Sequence, residues 1–587
     1  MKRWIIFAIV VTLGVTALVW SERHPVDVRV TPASLLYFIA DSEWELSRLP
    51  MTATRLSDQE EIEIGNQMAA TNSWLLRGSA DLTTQQKEQI QVVGDYVNRV
   101  GTRVAARAHR KLPYKFHFIP NMDFVNAFAL PGGHVYIGAG LVALMDSEDE
   151  LAAVLGHEVE HIDHYHCAER VQTQARLRRL PLGSLALFPA AIFEAGYSKD
   201  QELEADREGT ILAVSAGYSP LGAVRMFETF DRLYQEYVRR AQSPQEELSR
   251  VAIQTIEGYF RSHPLPAERI EQIRKLINDE RWGDLTRERD LEVAYIFWTE
   301  RAHRAYEAGR YDVAVKLGQH SLEMRHDQPI ALMVLGQAQF AQANFAEAAA
   351  AFRQALELTP ADDELTGDYA DALAARHTPA DSLQGFTAWA DAHPDLKGRL
   401  EVRLELARLT FAARGEAAAG LVLFPAVSPN AASLPPGLRG RYGWWFYGSG
   451  QYDSAVNWLQ SAVEELPSDP ILQTRLGWVL IEQRNLEAAI GRFESPANGY
   501  HSPEYGSPNQ RRRLFHEKRM GLAVAEWQAQ QFDRAMSGFA SAAIAQPEWL
   551  NPQWVGALYS PGVAKTIEEM KVEQKKRRGS RAGRNGE

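Results

Sequence analysis

A single cysteine, Cys167, stands among 587 residues. No intramolecular disulfide can form, and a chain this poor in thiols suits an oxidising compartment, where stray cysteines would mispair. Cys167 itself reads as a buried, inert thiol. Long apolar runs are also scarce. Trp4 to Trp20 is one uninterrupted stretch of apolar and small residues, whereas Leu180 to Phe193 contains two prolines and a glycine and is too short to span a bilayer. That second stretch reads as a plug over a cleft or a surface that touches membrane. An excess of positive charge is missing too: 63 Lys and Arg against 75 Asp and Glu give a net charge of −12, which argues against nucleic acid as the principal partner.

The apolar run at the start follows Met1-Lys2-Arg3 and precedes Ser21-Glu22-Arg23. This is the pattern of an export signal or an N-terminal membrane anchor over residues 1–24, with Val19-x-Ser21 as a fair cleavage site. No cysteine follows it, which excludes a lipoprotein. At the other end, residues 571–587 carry Lys575-Lys576-Arg577-Arg578 without apolar neighbours and read as a basic, disordered tail, with attraction to anionic lipid as the functional option.

Against these absences stands His157-Glu158-Val159-Glu160-His161. On a helix, residues four apart share a face, so His157 and His161 present two imidazoles to one zinc ion while Glu158 stands beside the water it activates. The local sequence is helical. Ser147 followed by Glu150 forms a capping signal, and Leu151, Val154 and Leu155 supply a buried stripe. Two unrelated histidines on an exposed turn are the bland alternative.

A hydrolytic zinc needs a third protein ligand and one open position. The metzincin spacing fails, because the slots for its glycine and third histidine hold His164 and Cys167. His164 lies too far along a straight helix to reach a metal seated between the first two. A second helix, beginning at Ser198, offers Glu202 and Asp206 on one face, so one can bind metal while the other holds a ligand imidazole from behind.

Taken together, His157-Glu158-x-x-His161, Ser198-x-x-x-Glu202-x-Glu204-Ala205-Asp206 and the upstream Asn126-Ala127-Phe128-Ala129-Leu130-Pro131-Gly132-Gly133 resemble the metallopeptidases that include HtpX and the CAAX prenyl protease. The resemblance covers roughly residues 55–280. It implies one Zn2+ per chain on His157, His161 and Glu202, with Glu204 as the alternative ligand, Glu158 as general base and Asp206 behind the ligands. A downstream segment, Arg261 to Ile270, matches a recurring segment of the family, and His263 within it is read as a helper for the oxyanion, as a latch on the open zinc position, or as a helix cap. His134-Val135-Tyr136-Ile137-Gly138 reads as a short strand after a Pro-Gly-Gly turn, with an edge to which an extended substrate could add.

The second half repeats. Tyr311-x-x-Ala314, Phe345-x-x-Ala348, Tyr452-x-x-Ala455, Leu486-x-x-Ala489 and Phe532-x-x-Ala535 recur, two pairs of them 34 residues apart. Gly336 and Gly477 each precede their anchor by nine, and Pro360, Pro467 and Pro547 each follow theirs by 15. These are tetratricopeptide repeats. Residues 378–440 are less regular, with 398–414 as a degenerate repeat, and Trp444, Trp445 and Trp478 read mostly as packing between helices.

The expected fold is mainly α: a gluzincin-type metallopeptidase domain with a small β-sheet (25–290), followed by an α-solenoid of tetratricopeptide repeats (291–570). Resemblance to the BepA-like periplasmic proteases, which carry such repeats, implies an endopeptidase in the periplasm of a Gram-negative bacterium. Its implied substrates are unfolded or misassembled envelope proteins, with outer-membrane assembly machinery as a partner for the repeats and membrane contact through the N-terminus. The competing class is a periplasmic chaperone or assembly scaffold with a latent protease. Prenyl-protein processing fits poorly, because the relatives that perform it need several membrane spans.

Overall fold

Ser147 and Ser198 start the two helices that carry the motif residues, the first as its spacing to Glu150 predicts. Ser147 Oγ accepts from the Glu150 amide at 3.2 Å, and Ser198 makes a reciprocal capping box with Gln201. The computed structural model describes residues 56–78, 82, 84–178, 197–240, 266–423, 434–495 and 508–584. The expected signal or anchor at 1–24, the apolar stretch 180–193 and His263 lie outside the described residues. Two units separate, Met1–Val293 and Ala294–Glu587.

In the first unit, helices α1 (Asp58–Thr71) and α2 (Thr84–Ala105) precede strands β1 (Lys115–Ile119), β2 (Ala127–Leu130) and β3 (His134–Gly138). Helices α3 (Glu148–Asp163), α4 (His166–Arg178), α5 (Lys199–Ser215), α6 (Leu221–Arg240) and α7 (Pro266–Asp279) follow. The sheet order is β1-β3-β2, with β3 parallel to β1 and antiparallel to β2. This corrects the expectation that residues 134–138 offer a free edge: β3 is the central strand, paired on both sides. The reason is visible in its composition, because all five residues are buried, as in a strand covered on both faces. Tyr136 stacks between His117, at 4.5 Å, and Phe128, at 4.8 Å, its partners on the two flanking strands.

Both ends of α3 are tied down by charged groups. At its start Asp149 accepts from the amides of Ser219 and Arg289, each at 2.6 Å, and Tyr96 donates to Glu148 at 2.8 Å. At its end Asp163 accepts from the amides of His109 and Arg110 at 2.9 and 2.7 Å. Arg110 donates to the Ile162 carbonyl at 2.6 Å and pairs with buried Glu61 at 2.5 Å. Charge-assisted bonds of this kind fix direction as well as position. The helix then breaks at Tyr165, whose φ is +63°, so His166 and Cys167 begin α4 instead of extending α3.

In the second unit, each repeat anchor opens a helix: Tyr311–Met324, Phe345–Leu358, Tyr452–Glu465, Leu486–Glu494 and Phe532–Ala545. Each small residue three positions on (Ala314, Ala348, Ala455, Ala489, Ala535) is fully buried, which lets the paired helix approach closely. Two residues before every anchor the backbone is left-handed, at Gly309, Ala343, Gly450, Arg484 and Gln530. The next amide reaches back five residues to a carbonyl, for example Asn344 to Gln339 and Asn485 to Leu480, both near 3.0 Å. That is a Schellman ending, repeated five times. Trp445 and Trp478 are buried and Trp444 stacks on Tyr447 at 4.5 Å, so these aromatics do serve packing.

Two further features of this unit bear on the sequence reading. The basic C-terminal stretch, expected to be disordered from Lys571, continues a helix that spans Pro561–Arg584. Buried Ile567 and Met570 seat that helix, and Arg577 bonds to Glu573 one turn away and to Asp533 at 2.8 and 2.9 Å. Late residues also return to the first two repeats. Tyr311 bonds to Glu548, Asn551 Nδ2 donates to the Gln342 carbonyl at 3.1 Å, and Pro547 packs against Gly309. Among the described residues, no helix is long and apolar enough to cross a membrane.

A left-handed residue with a Cβ costs about 1–2 kcal/mol, and nothing lies within 4 Å of a Cβ added at Gly450. Gly450→Ala is therefore expected to lower stability by about that backbone cost alone, and Ala343→Gly to be neutral or stabilising. Chemical denaturation of the whole chain checks both signs.

Candidate metal centre

The site begins with a close approach of two backbones. α3 and α5 cross at Gly156 and Gly209, where a Cβ on Gly156 would lie 2.6 Å from the Gly209 carbonyl oxygen and one on Gly209 would lie 2.7 Å from the His157 amide. Glycine inside a helix costs roughly 1 kcal/mol relative to alanine, but only glycine allows this contact. It brings Glu202 and Asp206 of α5 under the His157 and His161 rings of α3.

His157 Nε2 and His161 Nε2 lie 3.1 Å apart. Glu202 Oε2 is 3.5 Å from the first and Glu202 Oε1 is 3.5 Å from the second. All three residues are buried, and among the described residues they form a group with geometry suited to a metal ion. Zinc bonds of about 2.0–2.1 Å at tetrahedral angles separate neighbouring donor atoms by about 3.3–3.4 Å. The 3.1 Å between the imidazole nitrogens and the 3.5 Å from each of them to one of the two Glu202 oxygens lie near that value, and two imidazoles with one carboxylate are a donor set that zinc favours. Burial pushes the His161 imidazole well below its ordinary pKa, with the His157 ring also opposing charge and Glu202 working the other way. A neutral ring is the form that binds metal.

Asp206 does not join the three. Its Oδ1 lies 2.9 Å from His157 Nδ1, placed to accept from a proton kept on that nitrogen, which leaves Nε2 bare. Arg269 of α7, 2% exposed, grips Asp206 through Nε and Nη2, each at 2.5 Å, and its Nη2 lies 3.6 Å from Glu202. Its guanidinium rests on the Phe227 ring at 4.4 Å. Burial opposes ionisation of Asp206, but the charge and hydrogen bonds of Arg269, helped by His157, outweigh it and hold the carboxyl below its usual value.

Glu158 lies beside His157 in a pocket lined by Val154, Met226, Phe227 and Arg269. Burial raises its carboxyl to about 7, Glu202 adds to the rise, and His157 and Arg269 pull the other way. A group with that affinity can both take and return a proton near neutral pH.

Other residues singled out by sequence lie elsewhere. His164 pairs with Glu160 at 2.8 Å, and Glu204 with His166 at 3.2 Å. Cys167 is buried with its Sγ 3.2 Å from the Tyr197 hydroxyl, and burial raises its pKa. Sequence reasoning passed over Arg269, His166 and Tyr197, although Tyr197 stacks on the His161 ring at 3.8 Å. It also gave no role to Gly156 and Gly209, where a glycine within a helical pattern was the available signal.

Residues 93–277 match the family model for peptidase family M48, and residues 299–363, 334–396 and 443–495 match that for the tetratricopeptide repeat. The chain carries a peptidase family M48 domain followed by tetratricopeptide repeats. The M48 domain falls where the cluster does. A putative beta-barrel assembly-enhancing protease of Vibrio cholerae is 33% identical over 205 residues, 31% of this chain and 39% of that protein. The beta-barrel assembly-enhancing protease of Escherichia coli K12 is 29% identical over 244 residues, 38% of this chain and 45% of that protein. The mitochondrial metalloendopeptidase OMA1 of Arabidopsis thaliana is 34% identical over 123 residues, 20% of this chain and 25% of that protein. The chain thus spans less than half the length of these relatives.

Because its Cβ would press on the His157 amide, Gly209→Ala should push α5 away and widen the donor triangle. Metal affinity is expected to fall about 10-fold or more, in line with what lost ligand positioning costs. Chelator competition measures it, and an unchanged affinity would show that the crossing has slack.

Proposed function

We propose that this chain is a zinc endopeptidase, with His157, His161 and Glu202 holding the ion and Glu158 as general base. The observation that carries the reading is a pair of imidazole nitrogens 3.1 Å apart, each 3.5 Å from one of the two Glu202 oxygens, with a buried carboxyl raised to about 7 next to it. Zinc, when bound, supplies a Lewis acid that polarises a peptide carbonyl and eases ionisation of a water. Glu158 takes the proton of the attacking water and returns it to the leaving amine. Asp206 and Arg269 keep His157 oriented while this happens, and Val154, Met226 and Phe227 exclude bulk water around Glu158. His263 remains in this proposal as an oxyanion helper or latch.

The relatives named as beta-barrel assembly-enhancing proteases support, as part of the proposal, substrates that are unfolded or misassembled outer-membrane proteins, and work in the periplasm of a Gram-negative bacterium. Residues 1–24 serve as export signal or anchor, and the repeats recruit substrate or an assembly partner. A chaperone or scaffold with latent protease activity is the second reading, favoured by the extent of the repeat unit beside a single small site.

Cleavage of casein by the purified chain, with zinc content recorded, tests the proposal. Glu158→Gln should keep its zinc and lose about 10²–10⁴-fold in rate. A full zinc complement with no cleavage by the wild-type chain would favour the chaperone reading, and cleavage by the variant at the wild-type rate would remove Glu158 as base.

A further inference from the structure

Glu204, the alternative ligand by sequence, ends a hydrogen-bonded chain that begins at the metal cluster. His161 Nε2 faces the cluster, while its Nδ1 lies 3.0 Å from Nδ1 of His166. His166 Nε2 in turn lies 3.2 Å from Glu204 Oε2. The His166 ring is buried, whereas the Glu204 side chain is 46% exposed.

With neutral imidazoles, the protons along this chain can be arranged in one way. A carboxylate only accepts, so His166 must carry its proton on Nε2 and donate to Glu204. Its Nδ1 then has a lone pair and must accept, so His161 donates from Nδ1. That leaves His161 Nε2 bare, the state a metal requires. The opposite polarity would place a proton on His161 Nε2 and close the site.

We propose that Glu204 and His166 are a positioning pair, in which Glu204 fixes the tautomer and orientation of His161 from the protein surface through the His166 imidazole. Asp206 does the same for His157 directly, at 2.9 Å. The break after α3 makes the indirect route available: the left-handed turn at Tyr165 swings His166 back against His161, where a continued helix would have carried it onward. The Tyr197 ring closes the other side of His161 by stacking, so the ring is held in plane and in rotation. Partners of this kind typically contribute 10–100-fold to metal affinity. This inference rests on the zinc reading above.

The test uses the full chain and compares wild type with Glu204→Ala, Glu204→Gln and Asp200→Asn, the last an exposed acid on the same helix. Zinc affinity is measured by chelator competition, the visible spectrum of the Co2+-loaded protein reports the ligand field, and the melting temperature is taken without metal. The expected result is about 10-fold or more weaker zinc binding and an altered Co2+ spectrum in Glu204→Ala. Glu204→Gln, which keeps an acceptor oxygen, should fall between, Asp200→Asn should match wild type, and the metal-free melting temperature should not move. Wild-type affinity in Glu204→Ala, or a matching drop in metal-free stability, overturns the positioning role alone. A wild-type chain that takes up no zinc overturns the zinc reading and this inference with it.

Discussion

Two helix backbones in contact are the constraint on which the rest of the first unit depends. The donor triangle needs a carboxylate from α5 within reach of imidazoles on α3, and side chains as short as Glu and Asp span that gap only if the helices nearly touch. Gly156 and Gly209 allow the contact, and the ties at both ends of α3 keep it in register. Asp149 anchors the start to the loops around Ser219 and Arg289, and Asp163 anchors the end to His109 and Arg110.

Such proximity gathers several charges out of water, where each alone would be costly. The structure meets this by alternation. Glu202 and Asp206 share Arg269, and Glu61 is matched by Arg110, which itself lies flat on Tyr165 at 3.8 Å. Burial shifts Glu158 toward its neutral form, as it does any buried carboxyl, and Glu202 adds to the rise.

Much of this was legible in the chain. His157 and His161 could be placed on one face, and Glu202 and Asp206 on another, because a helical period is a local property; the resemblance to the metallopeptidases then singled out Glu202 as the ligand. The repeats were legible for a related reason: Ala314, Ala348, Ala455, Ala489 and Ala535 mark a contact that recurs at fixed spacing. What escaped depended on tertiary contact. Arg269 is 63 residues from Asp206 in the chain, and no periodicity links them. The edge role expected of His134–Gly138 failed because strand order is decided by how β1 and β2 flank it. The basic tail was misread on composition, since Ile567 and Met570, which seat the helix, lie just before the charged run begins.

The contacts between Tyr311 and Glu548, Gln342 and Asn551, and Gly309 and Pro547 give the repeat unit a different character from an open solenoid. In an open stack each repeat leans only on its neighbours, so ends fray and unfolding can travel inward one repeat at a time. Here the first two repeats and the segment after the last anchor share a seam. The first repeats cannot part from the segment around Pro547 without losing these contacts as well as those to their neighbours. The seam thereby couples repeats that are far apart in the chain, which neighbour contacts alone would not do.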